Sequence, residues 1–95
     1  MTVTFGDVVF DTVEYDAESD ILVLRVGGWG RRGDDWDATE EGHPLTFLGG
    51  RIIGVDILDP TVIAERGGEI VLTLEDGTVL RSPDVLKAIP GPAAA

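Results

Sequence analysis

Apolar and polar residues alternate along much of this 95-residue chain with the two-residue period of a β-strand. The clearest stretch follows Gly49–Gly50, a pair that tolerates the positive φ angles of a two-residue hairpin turn. Ile53, Val55 and Ile57 then fall on one face, which is wholly apolar and is expected to point into the core. The pattern therefore predicts a hairpin over Leu45–Leu58 at the centre of the sheet.

Other segments have the same strand-like composition: Thr2–Phe5, Val8–Tyr15, Ile21–Val26, Glu69–Leu74 and Thr78–Arg81. The second and third of these are joined by the five-residue, mostly polar loop 16–20 and predict one hairpin. The last two flank Asp76-Gly77, a dipeptide typical of a type I′ turn, and predict another.

Turn and helix signals follow the central and the last strands. Asp59-Pro60 is expected to end the central strand, because proline has no N–H for the ladder. Residues 61–66 fit either a strand or a single helical turn. Ser82 and Pro83 are a good helix start, as a cap and a first-turn proline.

A short helix is expected to follow, with Val85, Leu86 and Ile89 on its apolar side. Together the segments predict a single mainly β domain over residues 1–90, an antiparallel meander of hairpins with a short C-terminal helix. The sheet is either open or closed into a small barrel. The tail, 91–95, is predicted to be disordered.

Residues 27–44 differ in kind, because they show no period. They hold five glycines, five acidic residues, both tryptophans and the only histidine. Loops of this length are usually functional or disordered, although a turn of helix at 34–37 or 39–41 also fits. Tryptophan is enriched at binding hot spots, often beside arginine. The residues predicted to bind a partner are Trp29, Trp36, Arg31, Arg32 and His43. Alternatively, both rings fold back as a lid over the barrel mouth or over a face of the sheet.

Charge is the most unusual bulk property, with 18 acidic and 7 basic residues, a formal net charge of −11 and a pI near 4.1. Direct binding to nucleic acid or to an anionic membrane is not expected, because the basic patch that it needs is missing. The charge suits a basic protein partner, an acidic decoy that mimics nucleic acid, or simple solubility.

The chain has no cysteine, no secretory signal at its start and no apolar run of the ~18 residues that span a bilayer. These features favour a soluble, cytoplasmic protein. The arginine-rich, lysine-poor composition suggests a bacterial source.

Two groups of carboxylates are candidate metal sites. Asp16, Glu18 and Asp20 alternate as calcium ligands do, but Ile21 and Gly27 stand where a calcium loop needs glycine and a bidentate acid. A hairpin turn in which carboxylates cap backbone N–H groups is the better interpretation. The acids of 34–43 match no defined metal spacing, so neither a metal nor a cofactor is predicted.

Little in the sequence points to catalysis. His43 is the only histidine, and neither Ser19 nor Ser82 lies in a nucleophile motif. No catalytic residue is predicted. Whether the protein is an enzyme stays open, although the lack of any site motif favours a protein without catalytic activity.

Two segments are similar to a small bacterial domain family of unknown function. Tyr15-Asp-Ala-Glu-Ser-Asp-Ile-Leu22 resembles the family's Tyr-Asp-x-Glu-x-Asp-x-Leu opening. Gly50-Arg-Ile-Ile-Gly-Val-Asp-Ile-Leu58 resembles its Gly-x-Ile-Val-Gly-Ile-Glu-Ile-Leu segment. The resemblance covers about residues 13–59 and implies a fold class but no activity. Val23, where the family has tyrosine, the long Trp-containing segment and the hairpin at 69–81 are departures from it.

Two functions are consistent with these features. The first is an adaptor or inhibitor that docks through residues 27–44 or through an exposed strand edge. The alternative is a small β-barrel ligand-binding protein or enzyme with an apolar pocket lined by Ile21, Val23, Ile53 and Val55. A homodimer through a free strand edge is compatible with either.

Overall fold

The computed structural model describes residues 1–90, and within them the fold is mainly β with one short α-helix, α1 (Pro60–Glu65), and one 3-10 turn (Val85–Ala88). The strands are β1 (Val3–Phe5), β2 (Val8–Phe10), β3 (Thr12–Asp16), β4 (Ile21–Arg25), β5 (Asp35–Ala38), β6 (Pro44–Leu48), β7 (Arg51–Leu58), β8 (Val71–Thr73) and β9 (Val79–Arg81). The prediction for the tail, 91–95, concerns residues outside this range. No helix within residues 1–90 is both long and apolar enough to cross a bilayer.

The strands form one five-stranded antiparallel sheet in the order β3-β4-β7-β6-β5 and two small hairpins, β1-β2 and β8-β9. The predicted mainly β, antiparallel fold is therefore confirmed. The large sheet is open, with β3 and β5 at its edges, and no barrel closes among the described residues.

The predicted central hairpin is also confirmed. Leu48 pairs with Arg51 across Gly49–Gly50, whose φ angles of 59° and 77° are both positive, as a type I′ turn requires. β7 lies in the middle of the sheet, and its predicted core face is buried. A register shift between Thr46 and Phe47 marks a bulge opposite β7.

The core lies on one face of the five-stranded sheet, where both small hairpins and the 3-10 turn cover it. It is formed by apolar side chains from the large sheet, from both small hairpins and from the 3-10 turn and its flanks: Val3, Phe5, Phe10, Leu22, Leu24, Leu45, Val55, Ile57, Ile70, Leu72, Val85 and Ile89. The rings of Phe5 and Phe10 meet edge to face, with centroids 6.4 Å apart. The Gly6 N–H donates to the Arg81 carbonyl at 2.9 Å and ties the two small hairpins together.

The predicted single strand Val8–Tyr15 is wrong, because the chain changes sheets at Asp11. Its first part pairs with β1 and its second part with β4. The Asp11 carboxylate accepts hydrogen bonds from the Gly27 N–H and the Thr12 hydroxyl, which hold the chain at this step. The strand-like composition of residues 8–15 continues on both sides of Asp11 and does not mark the break.

The predicted type I′ turn at Asp76-Gly77 is also wrong. The Leu74 N–H donates to the Thr78 carbonyl at 2.8 Å, so the loop has three residues, and only its last, Gly77, has a positive φ. Three-residue loops of this kind, a turn followed by a glycine in the left-handed conformation, are the next most common hairpin connection after two-residue loops. The β5–β6 loop repeats it: Thr39 and His43 close the loop, and Gly42 has a φ of 92°.

Two ambiguous segments and one helix face are settled by the structure. Residues 61–66 lie in α1 and its end, after Asp59 adopts a left-handed conformation. The Trp-containing segment holds an edge strand, β5, in place of a helical turn. Leu86, predicted to face the core, is 55% exposed, because the 3-10 turn has a tighter period than an α-helix.

Candidate functional site

Both tryptophans lie on the surface. The side chains of Trp29 and Trp36 are 52% and 67% exposed, so neither ring forms a lid over the core. Trp29 lies in the turn that follows β4, where Gly27 and Gly28 have positive φ angles. Trp36 lies on β5.

The register of the sheet shows which face Trp36 occupies. Trp36 pairs with Thr46, which pairs with Gly54 of β7, and the side chain of Arg25 lies over Gly54. This row is opposite to the buried row that contains Val55, so Trp36 stands on the outer face of the sheet.

The other face of β5 carries carboxylates. Two shallow pockets of about 340 Å³ each lie side by side there and share Asp37, Phe47 and Glu75. We call this surface the acidic depression; its acidic residues are Asp34, Asp35, Asp37, Glu75 and Asp76. No arginine, lysine or histidine lines either pocket, and Phe47, Leu45 and Leu74 provide its apolar lining.

One of these acids already serves the β8–β9 loop. The Asp76 carboxylate accepts the Thr78 N–H at 2.9 Å, which lowers the pKa of Asp76 below its ordinary value. Among residues 1–90, no group of three or more His, Cys, Asp and Glu side chains is arranged to hold a metal ion.

The outward edge of β5 has its N–H groups occupied. The Trp36 N–H donates to the Asp35 carboxylate at 2.9 Å, and the Ala38 N–H donates to the Asp37 carboxylate at 2.8 Å. A strand from another chain would have to displace both contacts before it could pair here. Acidic side chains on an edge strand therefore oppose strand addition at this edge.

The two predicted arginines are exposed, but only Arg31 has a defined contact. Its guanidinium donates to the Val26 carbonyl at 3.2 Å, and its stem lies against Gly27. Arg31 also lines an open groove beside the acidic depression, together with Arg51. Arg32 makes no ion pair within the part of the chain that the structure describes.

His43 does not belong to this surface. It is 3% exposed, and its ring Nδ1 accepts the Leu58 N–H at 3.1 Å. Its backbone N–H donates to the Thr39 hydroxyl at 3.1 Å. Burial lowers the pKa of the ring, although the nearby carboxylates of Glu41 and Asp59 oppose that change. The ring is therefore neutral with its proton on Nε2, which has no partner in residues 1–90. Its place is in the interior.

Asp16 and Asp20, two of the carboxylates whose spacing resembles a calcium loop, stabilise the β3–β4 hairpin through hydrogen bonds. Asp16 accepts the Glu18 N–H at 3.1 Å and the Ser19 hydroxyl at 2.7 Å, as a carboxylate that caps a turn does. Asp20 accepts the Tyr15 hydroxyl at 2.8 Å and the Thr61 hydroxyl at 2.7 Å. Asp20 thus ties the hairpin to the start of α1. The first of the two segments that carry the family resemblance, Tyr15–Leu22, therefore has a structural role here.

The apolar pocket predicted from Ile21, Val23, Ile53 and Val55 does not form as one site. Val55 is buried in the core, whereas Val23 pairs with Asp56 on the outer face of the sheet. Of the four, only Ile53 lines the open groove. Among the residues of the acidic depression and the groove that sequence analysis missed are Arg51, Leu74, Glu75 and Leu80. They come from hairpins far apart in the chain, and no local pattern marks them.

Comparison with known proteins does not identify this surface. Comparisons of the chain with protein-family models, with curated proteins and with solved structures gave no match.

Proposed function

We propose that the protein is a small interaction module that docks a basic segment of a partner protein along β5. The observation that carries this proposal is the exposure of Trp36 on a strand whose opposite face lines the acidic depression. One strand therefore offers an aromatic ring and a cluster of carboxylates to the same partner. Trp29, in the preceding turn, is a second candidate anchor.

Arginine and lysine side chains suit both features. One guanidinium can stack on the indole face of Trp36, and a second can pair with the carboxylates on the other face of β5, those of Asp35, Asp37 and Glu75. The apolar stem of the second side chain can lie on Phe47. A cation would also relieve the repulsion among carboxylates that share a small concave surface.

The net charge of −11 supports the same kind of partner. It attracts basic segments over a distance of about a Debye length, roughly 8–10 Å at physiological salt, and repels acidic ones. Side chains carry the docking, because Asp35 and Asp37 occupy the outward N–H groups of β5. The cytoplasmic setting, the bacterial source, the homodimer and the family resemblance stay predictions from the sequence.

The test uses a capped peptide of arginine and leucine residues and the same peptide with citrulline, a neutral isostere, in place of arginine. Fluorescence anisotropy measures the affinity of the full chain for each peptide at low and physiological salt. We expect only the arginine peptide to bind, and we expect Trp36→Ala to weaken binding at least about tenfold, as is usual at a tryptophan hot spot.

Matched variants separate the surface from general charge. Leu86→Ala also removes an exposed apolar side chain, 55% accessible and outside the site, and is expected to bind normally. Asp35→Asn with Asp37→Asn keeps oxygen acceptors for the edge N–H groups but removes two charges. It should weaken binding more than Glu18→Gln with Glu65→Gln, which removes two charges elsewhere. Equal losses in both double variants, or normal binding by Trp36→Ala, would refute the proposal.

A further inference from the structure

The open groove lined by Arg31 and Arg51 has a volume of about 760 Å³. It lies between the β1–β2 hairpin, the β6–β7 hairpin and the β8–β9 hairpin. Its wall is mainly apolar and includes Val8, Val26, Phe47, Leu74 and Leu80. Grooves of this size and composition are typical of binding sites.

The charges of the groove have the opposite sign to those of the acidic depression. Arg31 and Arg51 line it, against a single carboxylate, that of Asp7. Both arginines are exposed, and the ion pairs found in residues 1–90, Arg25–Asp56 and Arg81–Glu69, involve neither of them. In a chain with 18 acids and 7 basic residues, two unpaired guanidinium groups on one groove form a local positive site.

The groove and the acidic depression are continuous. Phe47 lines the groove and both pockets of the depression, Leu74 lines the groove and one pocket, and Gly50 lines the groove and the other. One surface therefore runs from a cationic end, at Arg31 and Arg51, across an apolar middle to an anionic end.

We propose that this surface takes a bipolar protein segment, with a basic side chain in the acidic depression, apolar side chains over Phe47 and Leu74, and an acidic side chain at Arg31 and Arg51. This inference rests on the proposed function and adds the charge pattern of the partner. Charge complementarity supports it at both ends, since each end lacks an ion-pair partner for its charge within the described chain.

The bipolar pattern also explains discrimination. A wholly basic segment meets two guanidinium groups at the far end of the groove. A wholly acidic segment meets the carboxylates of the depression and the net charge of −11. Only a segment with both signs, separated by apolar residues, has favourable contacts along its whole length, and repulsion of the other two provides specificity.

The experiment uses three peptides with acetylated and amidated ends, so that only side chains carry charge. All have an arginine at one end and leucines in the middle; the other end carries glutamate, glutamine or a second arginine. Affinities are measured for the full wild-type chain, for Arg31→Glu with Arg51→Glu, and for the control Arg66→Glu with Lys87→Glu. The control makes the same change in net charge at exposed residues outside the groove.

We expect the wild type to prefer the glutamate peptide over the arginine-ended one by about tenfold. The groove variant is expected to reverse this preference, and the control variant is expected to keep it. Arg51→Gln alone should abolish part of the preference without adding a charge, and circular dichroism checks that each variant is folded. The inference is overturned if the wild type prefers the peptide with two arginines, or if the groove variant keeps the wild-type order. Failure of all three peptides to bind the wild type would instead refute the proposed function.

Discussion

The buried ring of His43 is expected to make the stability of this protein fall as the pH drops below about 6.5, the ordinary pKa of histidine. Nδ1 must keep a lone pair to accept the Leu58 N–H, so a proton there destroys the bond. A ring that is 3% exposed also pays the cost of burying a charge. Glu41 and Asp59 reduce that cost, but burial has the larger effect and lowers the pKa.

The sign of the effect follows from proton binding in the two states. Below pH 6.5 the unfolded chain takes up a proton on His43, whereas the folded chain, with its lowered pKa, does not. The free energy of unfolding then falls by at most about 1.4 kcal/mol per pH unit, until the folded ring is also protonated.

Carboxylates act in a separate, more acidic window. Hydrogen bonds from Thr73 lower the pKa of Glu41 despite its burial, and those from Thr61 and Tyr15 do the same for Asp20. Their contribution to stability is complete above the ordinary values of 4.5 and 3.8 and is lost as the pH falls through the lowered ones. Measurements between pH 7.5 and 5 therefore report chiefly on His43.

The assay is urea unfolding of the wild type and of His43→Gln across that range. The glutamine oxygen can accept the Leu58 N–H but cannot titrate, so the variant is expected to show a nearly flat profile. Relief of the repulsion from the net charge of −11 on acidification affects both proteins alike and cancels in the difference. A variant whose stability falls in parallel with the wild type would refute the role assigned to His43.

Three further predictions concern the hairpins and the tryptophans. Asp20→Ala removes the acceptor for the Tyr15 and Thr61 hydroxyls and is expected to cost about 1–3 kcal/mol in urea unfolding, whereas loss of less than 0.5 kcal/mol would show that the contact is not formed. Gly77→Ala places a side chain at a φ of 88° and should cost about 1 kcal/mol, whereas Gly30→Ala, which meets no atom and has no positive φ, serves as a neutral control. Two variants that each keep only one tryptophan, Trp29 or Trp36, should both show red-shifted emission and free quenching by acrylamide. A blue-shifted spectrum from either variant would contradict the exposure of the ring that it keeps.

Features decided by neighbouring residues could be predicted from the sequence. The β6–β7 hairpin depends on the positive φ angles of Gly49 and Gly50 and on the alternation that puts Ile53, Val55 and Ile57 on one face. The end of β7 at Leu58, just before Asp59-Pro60, and the capping role of the carboxylates in the β3–β4 turn are equally local.

Features decided by contacts between distant segments could not be predicted from the sequence. β5 has no alternation of apolar residues and is exposed throughout; it is a strand because it pairs with β6. The break at Asp11, the burial of His43 and the choice of a three-residue loop at Glu75–Gly77 depend on which partner each segment meets.

The candidate site shows the same division. Its exposed tryptophan and several of its acids are already visible as an unusual segment, 27–44, because composition is a property of the sequence itself. The second half of the site, Glu75 and Arg51 with the apolar groove, comes from other hairpins. A local pattern records only the conformation of its own residues, whereas the packing of hairpins against one face of the sheet decides which charges become neighbours.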